Sequence, residues 1–146
     1  MNIDQALPTF LAESRELLQD MEDALLRLEQ QPDDTEAINA AFRAAHTIKG
    51  SAGLFGLEAI VAFTHALESV LDRLRANTLT VNEELIALLL ACGDHLGQQL
   101  DQVGTGEVLD AELQEQGATL RKQLHACAGQ PEPPAGGLLV AQSEAV

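Results

Sequence analysis

The chain has 146 residues, 46% of them hydrophobic, with four Phe and no Trp or Tyr. That length suits one domain that buries a core without disulfides or metals, and the reliance on Leu, Ala, Val and Ile favours helices over an aromatic-rich sheet. Eight basic against twenty-three acidic residues give a formal net charge of -15, a field that argues against nucleic acid and anionic membranes as partners.

Residues 1–10 carry the acidic Asp4 and no basic lead-in to an apolar run, so no secretory signal is expected. No later stretch approaches the ~20 apolar residues of a membrane span, and a cytoplasmic protein is expected. Phe10/Leu11, Leu17/Leu18, Met21, Leu25 and Leu28 recur at helical spacing and predict a long amphipathic helix. Pro8 restricts its entry, because proline is tolerated near the first turn, and Pro32 with Asp33 and Asp34 ends it and opens the next. The second helix buries Ile38, Ala41/Phe42, Ala45, Ile48 and Ala52 and runs out at Gly53 and Gly56. The third begins near Leu57, buries Ile60, Thr64, Leu67, Leu71 and Leu74, and closes at Asn77, with Val61, His65, Glu68 and Asp72 on its other flank.

Thr80 followed three residues later by Glu83 predicts a capping box at the start of a fourth helix. Its stripe is Leu85, Leu88/Leu89, Cys92, Leu96, Leu100 and Val103, interrupted by Gly104 and Gly106. A fifth, over about 107–127, shows Leu109, Leu113, Leu120 and Leu124 on a sparser face and is expected to pack outside the others. Cys92 and Cys127 are not spaced as a ligand pair and are expected to be reduced thiols buried as small hydrophobes. His95 reads as a surface or boundary residue, and His125 as a partner for a helix C-terminus. These elements predict an all-α fold, an antiparallel up-down-up-down four-helix bundle with an additional C-terminal fifth helix. The bundle is expected over 1–127, and the Pro/Gly-rich residues 128–146 read as a flexible linker after which the chain once continued.

His46 lies in the middle of the second helix, but on the helical wheel it aligns with Asn39, Arg43, Gly50 and Gly53, away from the apolar stripe. Lys49 follows three residues on, which sets its ammonium beside the imidazole. Gly50 and Gly53 each cost ~1 kcal/mol relative to alanine in a helix, and their place next to a histidine points to close approach by another molecule. Helix termination explains Gly53 and Gly56 but not Gly50. On the third helix His65 and Glu68 leave one face, and pairing of the two helices about the turn brings His46, His65 and Glu68 to similar height. A carboxylate that accepts from imidazole Nδ1 leaves Nε2 as a lone-pair nucleophile, so Glu68 would orient His46. Lys49 would supply charge to phosphoryl oxygens, and Gly50 would leave room for a partner's active site.

With these residues assembled, AFRAAHTIKGSAGLFG (residues 41–56) resembles the HxxKG phosphorylation motif of histidine phosphotransfer domains, among them the N-terminal domain of CheA-type chemotaxis kinases. THALESVLD (residues 64–72) resembles the family's second segment, whose histidine and glutamate support the phosphorylated histidine; His65 and Glu68 occupy those positions. The first-helix pattern RELLQDMEDALLRLE extends the likeness, which covers about residues 3–103. The resemblance implies that a CheA-like kinase domain, binding ATP and Mg itself, phosphorylates His46, and that response regulator receiver domains take the group onto an aspartate. It implies Arg43, Gly50 and Gly53 as the docking face, His65 as a supporting residue, and a monomer when the domain stands alone. No Gly-rich phosphate loop or kinase signature occurs in this chain, so it is expected to be carrier and substrate, with no cofactor of its own. Two other readings stand beside this one. A zinc or iron site from His46, His65 and Glu68 is disfavoured, because carboxylate-bridged di-iron bundles use Glu-x-x-His on paired helices; no metal is expected. A non-catalytic helical adaptor is the alternative to phosphotransfer.

Overall fold

Apolar residues three and four apart build amphipathic rods that must bury one face against another. In a computed structural model describing residues 3–106 and 111–129, these rods are α1 Ile3–Gln30, α2 Thr35–Leu54, α3 Glu58–Arg75, α4 Glu83–Thr105 and α5 Ala111–Cys127. Consecutive helices run antiparallel. α1 packs on α2 and α4, and α2 packs on α3. Met21, Leu25, Leu28, Ile48, Ile60, Leu67, Leu71, Leu89, Leu96 and Leu100 fill the interior. This is the four-helix bundle that the stripes predict. No helix among the described residues is long and apolar enough to cross a membrane.

The helix ends show where the chain is held. Asp34 caps α2 by accepting the Ala37 N–H at 3.1 Å, and that bond keeps its carboxyl below the ordinary range. The other end of α2 closes with Gly56 at φ 68. There Gly56 N–H donates to Gly53 O at 3.2 Å and Leu57 N–H to Ala52 O at 3.1 Å. This pair of bonds needs a left-handed residue between them, which glycine supplies without strain. The same pair ends α3, with Asn77 at φ 62.

Local expectation differs from the structure at two ends. Pro8 is the sixth residue of α1, counted from Ile3, and so lies beyond the first turn. Its missing N–H removes one backbone bond close to the helix start, and Pro8 itself is exposed. At α4 the cap is Asn82, not Thr80: Asn82 is extended and its Oδ1 accepts the Leu85 N–H at 2.8 Å. Glu83 thus opens the helix instead of closing a capping box, and with Glu84 it sits at the positive end of the helix dipole.

α5 lies across α3 and α4 and, with the turn that follows it, adds Leu113, Leu124 and Ala128 to the buried residues. Arg73 of α3 donates to the Ala128 carbonyl. Residues 107–110, with the expected contact Leu109, and the expected linker from 130 onward lie outside the described residues. Cys92 is buried and Cys127 half-buried, both free thiols, and burial pushes the Cys92 thiol up to about 12. His95, expected at the surface or boundary, is 2% exposed. It stands one turn from Cys92 on the face that α5 covers, tilted against Phe63 with ring centroids 4.6 Å apart. Its Nδ1 lies 3.2 Å from Gln116 Oε1. Gly117 of α5 makes the room, since a Cβ there would lie 2.8 Å from His95 Nε2. Burial lowers the His95 pKa, the Gln116 bond opposes this, and the Arg121 charge adds to it.

Gly117→Ala gains helix propensity but forces a methyl into the His95 ring, so it should destabilise by about 1 kcal/mol net in urea melts. Gly50→Ala, whose Cβ would meet nothing within 4 Å, should stabilise by about 0.5–1 kcal/mol. Equal effects at both sites would mean that α5 does not press on His95. For pH, the unfolded chain protonates His95 near 6.5 while the folded chain resists. Stability should therefore fall as pH drops through the ordinary His range, because the unfolded state binds more protons. His95→Gln should flatten the slope of stability between about pH 7.5 and 5.5, and an unchanged slope would place that titration elsewhere.

Candidate phosphoacceptor site

The α2–α3 turn at Gly56 sets the register that brings one face of α2 against α3. His46 and Lys49 stand one turn apart on α2, and Glu68 faces them from α3. The Glu68 carboxylate bridges the pair: His46 Nδ1 donates to Oε2, and Lys49 Nζ donates to Oε1 at 2.5 Å. The Glu68 side chain is 10% exposed, that of Lys49 25% and that of His46 63%. An inward carboxylate therefore holds an outward imidazole.

The electrostatics set the protonation state. Burial raises the Glu68 pKa, but the Lys49 and His46 hydrogen bonds and their charges outweigh it, and the carboxyl lies below its ordinary value of 4.5. An ionised carboxylate can only accept, so Nδ1 carries the proton, and in the neutral ring Nε2 keeps the lone pair. With Nδ1 engaged and the side chain largely in water, Nε2 is the atom available to an incoming electrophile.

Of the four side chains that the spacing suggests for the cluster, the structure joins three. His65 is exposed, and among the described residues its ring makes no hydrogen bond; its backbone carbonyl accepts from Ser69 Oγ at 3.1 Å. Arg43, Gly50 and Gly53 are all exposed on α2. A Cβ at Gly50 or Gly53 would meet nothing within 4 Å, so internal packing does not require either glycine. Gly56 alone is needed to end the helix. Among the described residues no three His, Cys, Asp or Glu side chains assemble as metal ligands, and Lys49 already occupies one side of Glu68.

Two residues beside the site, and one farther along α2, stand out in the structure but are not among the site residues that the sequence spacing suggests. Phe42, placed on the apolar stripe of α2, is half-buried, and its ring stacks nearly parallel to His46, at 9° with centroids 6.0 Å apart. Arg75 of α3 sits 3.9 Å above the Phe42 ring centroid. The i,i+4 spacing from Phe42 to His46 is the signal for the first contact. The second needs the helix register. Leu54, at the end of α2, is 82% exposed, an unusual exposure for a large apolar side chain.

Comparison with known proteins finds similar sequences and folds. Chemotaxis protein CheA of Klebsiella aerogenes is 41% identical over 142 residues, which is 97% of this chain and 22% of that protein. The chain thus spans about a fifth of that relative's length. The structure of the CheA phosphotransferase domain from Thermotoga maritima is 36% identical, covers 70% of this chain and 98% of that one, and superposes with a TM-score of 0.67. The solution structure of a histidine phosphotransfer domain of CheA is 31% identical, covers 86% of this chain and 92% of that one, and gives a TM-score of 0.75. The sequence matches the Hpt domain family over residues 5–115, and with the bundle and its exposed histidine in place, the chain belongs to that family.

Proposed function

We propose that this chain is the phosphotransfer domain of a CheA-like kinase and that His46 Nε2 is its phosphoacceptor. The observation that carries this reading is the single carboxylate of Glu68 shared between His46 Nδ1 and Lys49 Nζ. The Nε2 lone pair attacks the γ-phosphorus of ATP held with Mg by a separate kinase domain. The bond from phosphorus to the bridging oxygen breaks, and ADP leaves with that electron pair. Positive charge then spreads over the ring, and the Glu68 carboxylate opposes it through the Nδ1 proton. In the second step an aspartate oxygen of a receiver domain attacks phosphorus, the P–N bond breaks, and its electrons return to Nε2. The chain itself supplies position and charge, not hydrolytic power.

Lys49 takes a double role in this reading. One of its three N–H bonds holds Glu68, and the others remain for phosphoryl oxygens. Arg43, Gly50 and Gly53 form the face over which kinase and receiver approach in turn. His65, one turn from Glu68 and exposed, would act at the edge of that face. The kinase's need for ATP places the domain in the cytoplasm, and the bundle works as a monomer apart from its parent protein.

The test is transfer itself. Incubation with labelled ATP and a CheA-type kinase core should give acid-labile, base-stable label on the wild type and none on His46→Gln. Label that survives this substitution, or no label on the wild type, would refute the acceptor and favour the adaptor reading. Glu68→Gln, which cannot oppose charge on the ring, should slow labelling by about 10–100-fold while leaving the far-ultraviolet circular dichroism unchanged. Lys49→Ala should slow it less than loss of His46, which abolishes it. A Glu68→Gln rate equal to the wild type would remove Glu68 from the mechanism.

A further inference from the structure

One hydrogen bond at Nδ1 leaves the acceptor ring loosely oriented. The torsion that turns an imidazole is broad, a hydrogen bond tolerates tens of degrees of misalignment, and the His46 side chain is 63% exposed. Nε2, on the far side of the ring, moves most when the ring rocks. Yet the ring has a second support. Phe42, one turn earlier on α2, lies at 9° to it with centroids 6.0 Å apart, within the range of offset aromatic stacking. The Phe42 ring carries the Arg75 guanidinium at 3.9 Å, and Arg75 Nη2 donates to Asp72 Oδ1 at 2.8 Å. α3 thus reaches the imidazole by two routes, through Glu68 at its edge and through Asp72, Arg75 and Phe42 along its plane.

We propose that Phe42, held in place by Arg75, is a positioning residue that fixes the plane of the His46 ring and so aims Nε2. This rests on the reading of His46 as acceptor. The cation–π contact is modest at a part-exposed site, so it restrains one aromatic ring without locking it. Asp72 offsets the guanidinium charge, so the stack adds little net field at the imidazole. Its role is geometric.

Phosphoramidate, a small donor with no docking surface, separates aim from docking. With it the Nε2 lone pair bonds to phosphorus, the P–N bond of the donor breaks, and ammonia leaves with a proton from water. Phe42→Leu keeps apolar bulk but loses the ring plane, and it should be labelled about tenfold more slowly. Phe42→Tyr should restore most of the rate. Arg75→Ala, with Phe42 present, should slow labelling about threefold and weaken the ring-current shift that Phe42 imposes on the His46 ring protons. Arg75→Lys should recover part of both. With the kinase core, the effect should appear in kcat and leave KM unchanged. A wild-type phosphoramidate rate in folded Phe42→Leu would overturn the proposal, as would a loss confined to KM with the kinase. Should Phe42→Leu fail to fold, the Arg75→Ala pair of readouts decides: unchanged ring-current shift and unchanged rate overturn it. The ring-current measurement uses unphosphorylated protein, so a His46 that takes no label would sink the acceptor reading, while the stack would still be judged by spectroscopy.

Discussion

A single buried carboxylate joins the two helices at the place that matters. Glu68 can hold His46 and Lys49 together only if α2 and α3 lie antiparallel in one register, and the left-handed turn at Gly56 sets that register. The bond at Nδ1 and the bond to Lys49 Nζ also keep the carboxylate ionised against the cost of its burial. Removing either partner leaves a charge in a largely closed seat, an expensive state in a protein interior. Site and bundle are therefore coupled: the cluster needs the packing, and the packing tolerates an inward glutamate because the cluster satisfies it.

The rest of the molecule keeps those two helices still. α1 backs α2 and α4 backs α1, and their stripes form one continuous apolar interior. α5 finishes the other side by covering α3 and α4, where it shelters the neutral His95 and where Arg73 grips the backbone at Ala128. In the proposed role rigidity would have chemical value, because phosphoryl transfer depends on alignment far more than on groups that the carrier must supply.

Much of this is visible in the residues alone. The four stripes, the exposed face of His46 and the approach of Glu68 all follow from a period of ~3.6 and one short turn. What stays hidden depends on tertiary choices. Thr80 and Asn82 both offer a capping oxygen two residues apart, and only the backbone path decides between them. His95 reads as a boundary residue because the weak face of α5 does not reveal where that helix lies. His65 shares a flank with Glu68, but three residues leave ~60° between them around the axis, enough to send one side chain to His46 and the other to water. Phe42 looks like core from its spacing, and nothing local tells Arg75 to cross to it.

The bare stretch of α2 around Gly50 and Gly53 has a thermodynamic side. Side chains at a docking surface normally surrender rotamer freedom when a partner arrives, at about 0.5–1.5 kcal/mol for each one immobilised. In the proposed docking role Gly50 and Gly53 have none to surrender, so a partner meeting them would lose less freedom there than at longer side chains. A carrier proposed to meet donor and recipient in turn, on the same nitrogen, would be served by a surface that needs so little ordering each time.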